Sequence, residues 1–326
     1  MYMVKTKKFE EKYHAVSINQ MPCIKNVDDK ELKLVVDAEK MYNFFIQKLP
    51  SSALAKHKFG RRPVPDHTTL LTNDFKEHEH SISSILNNAV QSPLMMELYS
   101  FEVSFKYDCC EQLYIKLFQN NEEPIVLLIQ QSKAWYDQRK FRVTGSRVYG
   151  LYTYSGNDWE NKSIKYFYPK NFMNKFIKHG IKYEAEARDV FKEKTGFMVT
   201  ECGLIISHSN PWLGYSPDGI IMEEDKPVAL LEIKCLYNGS SATINEILPK
   251  AAFLNKSHDS FELKKRHQYY GQIQLGMAML NVPKCYFVVY ASFDKSLKIF
   301  EIDFDHEFTK EMLFTVKYNF FLKNDT

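Results

Sequence analysis

No stretch of this 326-residue chain approaches the roughly 20 consecutive apolar residues that a membrane span needs; the longest runs, such as Ile125 to Ile129 and Tyr286 to Ala291, are short. The opening MYMVKTKK has no apolar stretch behind its charges, so no signal peptide is expected and the chain is expected to stay inside the cell. The six cysteines, at 23, 109, 110, 202, 235 and 285, form no Cys-x-x-Cys pair, which leaves a zinc ribbon or redox dithiol without support. Cys109 and Cys110 are adjacent, a spacing that suits neither an ordinary disulfide nor a zinc knuckle, and all six are read as reduced, mostly buried thiols. There is no internal repeat or low-complexity tract. A large excess of one charge is lacking too: 43 Lys and Arg stand against 40 Asp and Glu, a net of +3, which on its own argues only weakly for a nucleic-acid partner.

What the chain does have is ordinary globular composition, 44% hydrophobic and 25% charged, which excludes wholesale disorder. The charge is unevenly spread. From Lys133 to Lys182, 11 basic residues face 3 acidic ones, and Trp135, Tyr136, Phe141, Tyr149, Tyr152, Tyr154, Trp159, Tyr166, Phe167 and Tyr168 are interleaved with them. Basic residues among aromatics suit a surface that tracks phosphates and stacks bases, although a solvated face over core aromatics accounts for the pattern as well. Apolar spacing predicts a helix over 30–48, an exposed connection over 51–75 and a helix over about His78–Tyr99 interrupted near Pro93. A buried strand is expected at Pro124–Ile129. Beyond it a helix over Asn171–Lys194, a strand over Phe197–Ile206, a strand over Val228–Cys235 and a helix over about Phe261–Leu280 are expected. Strands Cys285–Ala291 and Leu297–Ile302 and a closing helix over Glu307–Leu322 follow. This alternation indicates an α/β (α+β) core over 131–326, preceded by an N-terminal extension over 1–130.

The segment PWLGYSPDGIIMEEDKPVALLEIKC, from Pro211 to Cys235, carries the chemistry. Asp218 stands in a Pro-Asp-Gly turn, where Gly219 is expected to let the backbone reverse. Fourteen residues on, Glu232-Ile233-Lys234 interrupts an apolar strand. Alternation puts Glu232 and Lys234 on one face, with Ile233 and Cys235 on the other. Two charges on such a strand are costly unless they are paired or bound to metal. A hairpin that set Asp218 beside Glu232 would join two carboxylates that a hard divalent cation could hold together.

In this order the motifs resemble the PD-(D/E)xK nuclease superfamily, and within it the lambda exonuclease and YqaJ-type viral recombinase family, over about Lys133–Phe304. Leu-Gly-Tyr-Ser-Pro-Asp-Gly is similar to the family's Ser-Pro-Asp-Gly turn and Leu-Glu-Ile-Lys-Cys to its Glu-x-Lys strand. The resemblance implies a restriction-endonuclease-like core, a central mixed sheet flanked by helices. It implies that Asp218, Glu232 and the Ile233 carbonyl hold Mg²⁺, with Mn²⁺ as a substitute, and that Lys234 is the catalytic lysine. Glu184, in His179-Gly180-Ile181-Lys182-Tyr183-Glu184 before Arg188, matches a further active-site carboxylate, whereas the residues alone read as an ordinary helical pair with Arg188. Arg139, in WYDQR, and Ser146, after Val143-Thr144-Gly145, match residues that hold a terminal 5′-phosphate, joined by Ser216. Tyr270-Gly271-Gln272-Ile273-Gln274 resembles the family's glutamine motif, with Gln272 the closer match and Gln274 nearby.

The implied activity is that of a metal-dependent DNA nuclease, an exonuclease digesting double-stranded ends from the 5′-phosphate in recombination or processing. A structure-selective endonuclease on the same core, or a non-catalytic DNA-binding protein derived from a viral or mobile element, are the alternatives. A trimeric ring and a single-strand annealing partner are implied by analogy, and no membrane partner is expected. Leu236 replaces the proline that often follows the family's Glu-x-Lys-Cys.

Overall fold

The computed structural model describes residues 71–103, 108–119, 133–156, 158, 161–162, 173–257 and 260–322. The chain divides into units 1–71 and 72–326, and apart from Leu71 every described residue belongs to the second. The helix expected at 30–48 and the strand expected at Pro124–Ile129 lie outside the described residues.

In chain order the elements are helices α1 (Leu71–Val90), α2 (Pro93–Ser100), α3 (Asp108–Gln119) and α4 (Lys133–Arg139), the short strand β1 (Val143–Thr144), and helices α5 (Gly145–Tyr152) and α6 (Lys175–Thr195). Strands β2 (Met198–Thr200), β3 (Ile205–Ile206), β4 (Leu213–Tyr215), β5 (Gly219–Glu223) and β6 (Lys226–Cys235) follow. After them come α7 (Ile244–Ile247), β7 (Leu254–Ser257), β8 (Ser260–Leu263), α8 (Gln268–Leu280), β9 (Lys284–Ala291), β10 (Ser296–Asp303) and α9 (His306–Leu322). Among the described residues no helix is long and apolar enough to cross a membrane.

The central sheet has the order β10-β9-β6-β5-β2, with β6 and β9 parallel and the other pairs antiparallel. The mixed α/β class and the central mixed sheet expected from the sequence are therefore present. Strand alternation splits its side chains into two cores. Leu231, Ile233, Val288 and Tyr290 pack with Ala187 and Phe191 of α6 on one face. Leu230, Phe287, Val289 and Phe300 join Val148 of α5, Ile273 and Met277 of α8, and Met312 and Val316 of α9 on the other. A smaller sheet, β1-β4-β3, brings the start of α5 alongside β4.

Helices on the extension side of the boundary expected near 130 share this second core. Ser92 caps α2 and donates its hydroxyl to the Ala278 carbonyl at 2.7 Å. Lys317, buried on α9, donates to the Leu98 and Phe101 carbonyls at 2.7 and 2.6 Å and so satisfies the C-terminal end of α2.

Three expectations need correction. Helix α1 begins at Leu71, inside the stretch read as a connection, because the turn signal of Gly60, Pro63 and Pro65 ends before it and Ile82 and Ile85 supply an apolar face. Phe197–Ile206 is not one strand: β2 edges the central sheet and β3 joins the small one. The helix expected from Phe261 starts only at Gln268, since Ser260–Leu263 pairs with β7 and the His267 ring accepts the Tyr269 N–H as an N-cap. Of the cysteines, Cys285 is buried, Cys202 and Cys235 are half-buried, and all three are free thiols.

Candidate active site

The hairpin of β5 and β6 decides where the carboxylates stand. Glu224 and Asp225 at its tip both adopt positive φ, 47° and 62°, the pattern of a tight two-residue turn. Its register pairs Gly219 with Leu231, so Asp218 arrives opposite Glu232. The Ile233 N–H donates to Asp218 Oδ2 at 2.7 Å, which fixes that carboxylate against the backbone of β6. Gly219 does not reverse the chain, contrary to the sequence reading. It opens β5, and a side chain there would meet Val199 Cγ1 at 2.5 Å, so close packing against β2 is what requires glycine.

Glu232 is 1% exposed and faces α8, while Ile233 points into the α6 core as alternation requires. Both oxygens of the Glu232 carboxylate accept hydrogen bonds. Oε2 accepts the Tyr215 hydroxyl at 2.7 Å, and Oε1 accepts both Lys234 Nζ at 2.6 Å and the Gln272 amide. Glu184 reaches the same cluster from α6, its side chain 29% exposed and paired at 3.0 Å with Arg188. Arg188 also pairs with Glu201 at 2.6 Å and donates Nε–H to the Asp218 carbonyl at 2.7 Å. The helical pair with Arg188 is present, and it holds the Glu184 carboxylate where it feels the charges of Glu232 and Lys234.

Electrostatics follow from this crowding. Burial, then repulsion from Glu232 and Glu184, pushes the Asp218 pKa well above the carboxylate range, despite Lys234 and the Ile233 N–H. Burial, opposed by Arg188 and reinforced by Glu232, raises Glu184 as well. Burial works against the Lys234 ammonium, but Glu232 and Asp218 outweigh it and hold its pKa above the ordinary lysine value. Lys234 is therefore a fixed positive charge, 5.0 Å from the centre of the Tyr269 ring.

Of the two glutamines, only Gln272 belongs to this cluster. Gln274 is fully buried elsewhere, donating to the Asp303 carbonyl at 3.0 Å and accepting from the Asp305 N–H at 2.9 Å and the Thr309 hydroxyl at 3.1 Å. It ties α8 to the end of β10 and the start of α9.

Tyr215 is the partner that sequence reasoning missed, although a tyrosine three residues before Asp218 on a buried strand needs an acceptor. Its ring is closely flanked. A methyl at Gly145 would lie 2.6 Å from it, and one at Gly276 would lie 2.5 Å from it, so only glycines allow α5 and α8 to close on either side. Tyr215→Phe removes a hydrogen bond to a buried charge and is expected to lower the unfolding free energy by about 1.5–3 kcal/mol. Urea denaturation measures this, and an unchanged midpoint would show that the hydroxyl does not hold Glu232.

A second cluster lies at the start of α5. Arg139 Nη2 donates to Thr144 Oγ1 at 3.3 Å and Ser146 Oγ at 3.5 Å, with its guanidinium 4.0 Å over the Trp135 ring. Trp135 Nε1 in turn donates to Ser216 Oγ at 3.0 Å. Arg139 and its neighbour Ser146 are therefore joined through Trp135 to Ser216, which is distant in sequence. Burial, then the nearby Arg147, lowers the Arg139 pKa to about 10, which leaves it charged at neutral pH. The side chain of the N-cap residue Thr144 does not cap the first N–H groups of α5, so they add donors to this cationic corner.

No curated protein sequence matches the chain. Among solved structures it is similar to an alkaline exonuclease (LHK-Exo) from Laribacter hongkongensis at 24% identity, covering 58% of this chain and 90% of that one with a TM-score of 0.45. It is also similar to a phage-related exonuclease from Haemophilus somnus 129PT at 14% identity, covering 55% and 93% with a TM-score of 0.37. A SOX–DNA complex is matched at 11% identity over 65% and 70%, with a TM-score of 0.39. Residues 134–282 match the family model of the YqaJ-like viral recombinase domain, the family that the Ser-Pro-Asp-Gly and Glu-x-Lys motifs resemble.

Proposed function

We propose that the chain is a metal-dependent DNA nuclease, an exonuclease that acts on double-stranded ends bearing a 5′-phosphate. The observation that carries this reading is the gathering of Asp218, Glu232 and Lys234 at β6, within electrostatic reach of Glu184, with Arg139, Ser146 and Ser216 brought together at the start of an adjoining helix. The YqaJ-like match over the same residues supports it.

Among the described residues no group of three or more His, Cys, Asp or Glu side chains is arranged as a metal cage. Mg²⁺ does not ask for one, since it is bound by one or two carboxylates together with waters and substrate phosphates. Asp218 and Glu184, whose pKa values are raised by burial and by the charge of Glu232, belong to a donor set that a hard cation would relieve. Asp218, Glu232 and the Ile233 carbonyl would hold the ion, and Mn²⁺ would substitute. When bound, it polarises the scissile phosphate.

The chain's own groups do the rest. The Lys234 ammonium stabilises negative charge developing on the phosphate, a role its raised pKa suits better than that of a base. Glu184, with its raised pKa and partial exposure, takes a proton from the attacking water. Arg188 positions that carboxylate, and Gln272 orients Glu232. Arg139, Ser146, Ser216 and the α5 N–H groups hold the terminal phosphate and so set polarity.

Digestion of linear duplexes with 5′-phosphate or 5′-hydroxyl ends and of closed circles, with Mg²⁺ or EDTA, tests the reading. Loss of 5′-phosphorylated linear DNA in Mg²⁺ alone is expected. Equal cutting of circles would make the enzyme an endonuclease, and binding without cleavage would leave a DNA-binding protein.

A further inference from the structure

Resting on the nuclease reading, we propose that a cavity at the far end of α5 is a second nucleic-acid subsite, which receives an unpaired nucleotide of the DNA. The cavity has a volume of about 520 Å³ and is lined by Tyr149, Tyr152, Thr153, Lys265, Arg266 and Phe308. That lies within the roughly 300–1,000 Å³ typical of small-ligand pockets and suits one nucleotide.

Its walls have the two chemistries that a nucleotide offers to bind. Tyr149, Tyr152 and Phe308 supply aromatic surface. Tyr149 and Tyr152 are tilted with centroids 6.0 Å apart, and Tyr152 meets Phe308 edge-on at 5.9 Å. Neither contact is a parallel stack, and all three rings remain partly exposed. The rings are also anchored before any ligand arrives. Tyr149 lies over Gly271, where an added methyl would meet it at 2.8 Å, and the Tyr152 hydroxyl donates to Glu311 at 2.8 Å. Rigid aromatic surface stacks any base, but only a base that has left its duplex can reach it.

The rim supplies the charge for a phosphate. Lys265 is partly neutralised by Asp305 at 2.7 Å. Arg266 is exposed and has no ion-pair or hydrogen-bond partner among the described residues, so its guanidinium stands open to a phosphate.

Position links the cavity to the catalytic cluster. Helix α5 carries Ser146 of the phosphate corner in its first turn and Tyr152 at its last residue, about 9 Å further along the axis. Helix α8 carries Gln272 against Glu232, and Arg266 lies just before its N-cap. The cavity thus lies a few nucleotides along α5 from the phosphate corner, at roughly 3.4 Å of rise per nucleotide.

Fluorescence anisotropy in EDTA separates binding from cleavage, with labelled oligothymidylate and a blunt duplex of equal length as probes. Arg266→Ala should weaken single-strand binding about five- to tenfold and reduce the magnitude of its log–log salt slope by about 0.7. Tyr152→Leu should weaken it about tenfold with the slope unchanged, as loss of stacking predicts. Both should leave duplex affinity unaltered, and circular dichroism checks that each variant folds. Failure of the wild-type protein to bind the single strand, or equal loss on both probes, overturns the subsite. Selective single-strand loss in a protein that cuts no DNA with Mg²⁺ would overturn the nuclease reading and leave the subsite standing. Cleavage by variants that bind like wild type would do the reverse.

Discussion

Asp218→Asn and Glu232→Gln are each expected to reduce DNA cleavage by about a thousandfold or more, some 4 kcal/mol of transition-state stabilisation at about 1.4 kcal/mol per tenfold, while DNA binding in EDTA persists. The two substitutions replace carboxylates that the β5–β6 register sets side by side with amides, which bind a hard cation far more weakly. A stability measurement accompanies the kinetic one. With its pKa raised above the unfolded value, Asp218 keeps a proton in the folded chain that the unfolded chain has released, and Glu184 does the same. Their contribution is therefore fully present below the ordinary carboxylate range and is lost as pH rises through their folded pKa values. The metal-free protein should lose stability over that rise, and Asp218→Asn should flatten the loss. Mg²⁺ or Mn²⁺ at a hundredfold excess over its dissociation constant should restore about 2.7 kcal/mol to the wild type and none to Asp218→Asn. Thermal unfolding across pH, with and without Mn²⁺, reads all of this. Near-normal Mg²⁺-dependent cleavage by either variant would remove the assignment.

The legible parts of the fold and site were those written in local pattern. Strand alternation around Glu232-Ile233-Lys234 put the glutamate and the isoleucine on opposite faces, and the structure shows the one toward α8 and the other in the α6 core. The Pro-Asp-Gly signal located Asp218 but gave the wrong reason for Gly219, because turn chemistry is a local rule and the Val199 contact comes from a strand about 20 residues earlier. Helix periodicity carried α6 and α9 nearly to their ends yet ran α8 backward through β8. A short stretch such as Phe261-Glu262-Leu263 fits either period, and only its pairing with Leu254–Ser257 decides. Tyr215, Arg188 and Trp135 escaped for a related reason. Each acts by joining segments distant in sequence, Tyr215 to Glu232, Arg188 to the Asp218 carbonyl and Trp135 to Ser216. No spacing encodes such a contact. Gln272 and Gln274 show the same limit: two residues apart on α8, they serve the site and the scaffold respectively.

Arg139→Ala should hurt digestion of 5′-phosphorylated ends far more than of 5′-hydroxyl ends, narrowing the difference between the two substrates. The argument starts from how the guanidinium is held. It lies 4.0 Å over Trp135, and its Nη2 reaches Thr144 and Ser146, with Ser216 joined through the indole. Stacking fixes the plane of the fork, and both hydrogen bonds through Nη2 are at the long end of the normal range, so neither competes strongly with an anion. A terminal phosphate brings more charge and more oxygens than an internal diester, and a preset guanidinium can take two of them at once. Losing one partner of such a charge-assisted pair costs about 1.5–3 kcal/mol, which is about ten- to a hundredfold in kcat/KM on the phosphorylated end. Arg139→Lys should rescue little of this, because an ammonium keeps the charge but neither the fork nor its stacking on Trp135. A guanidinium that only gripped the backbone would behave differently. Both ends would then lose activity in parallel, and the salt slope of duplex binding would shrink by about one phosphate. Comparing kcat/KM on the two ends for wild type, Arg139→Ala and Arg139→Lys separates these outcomes, and parallel losses would take the terminal phosphate, and with it the polarity of digestion, away from this corner of the fold.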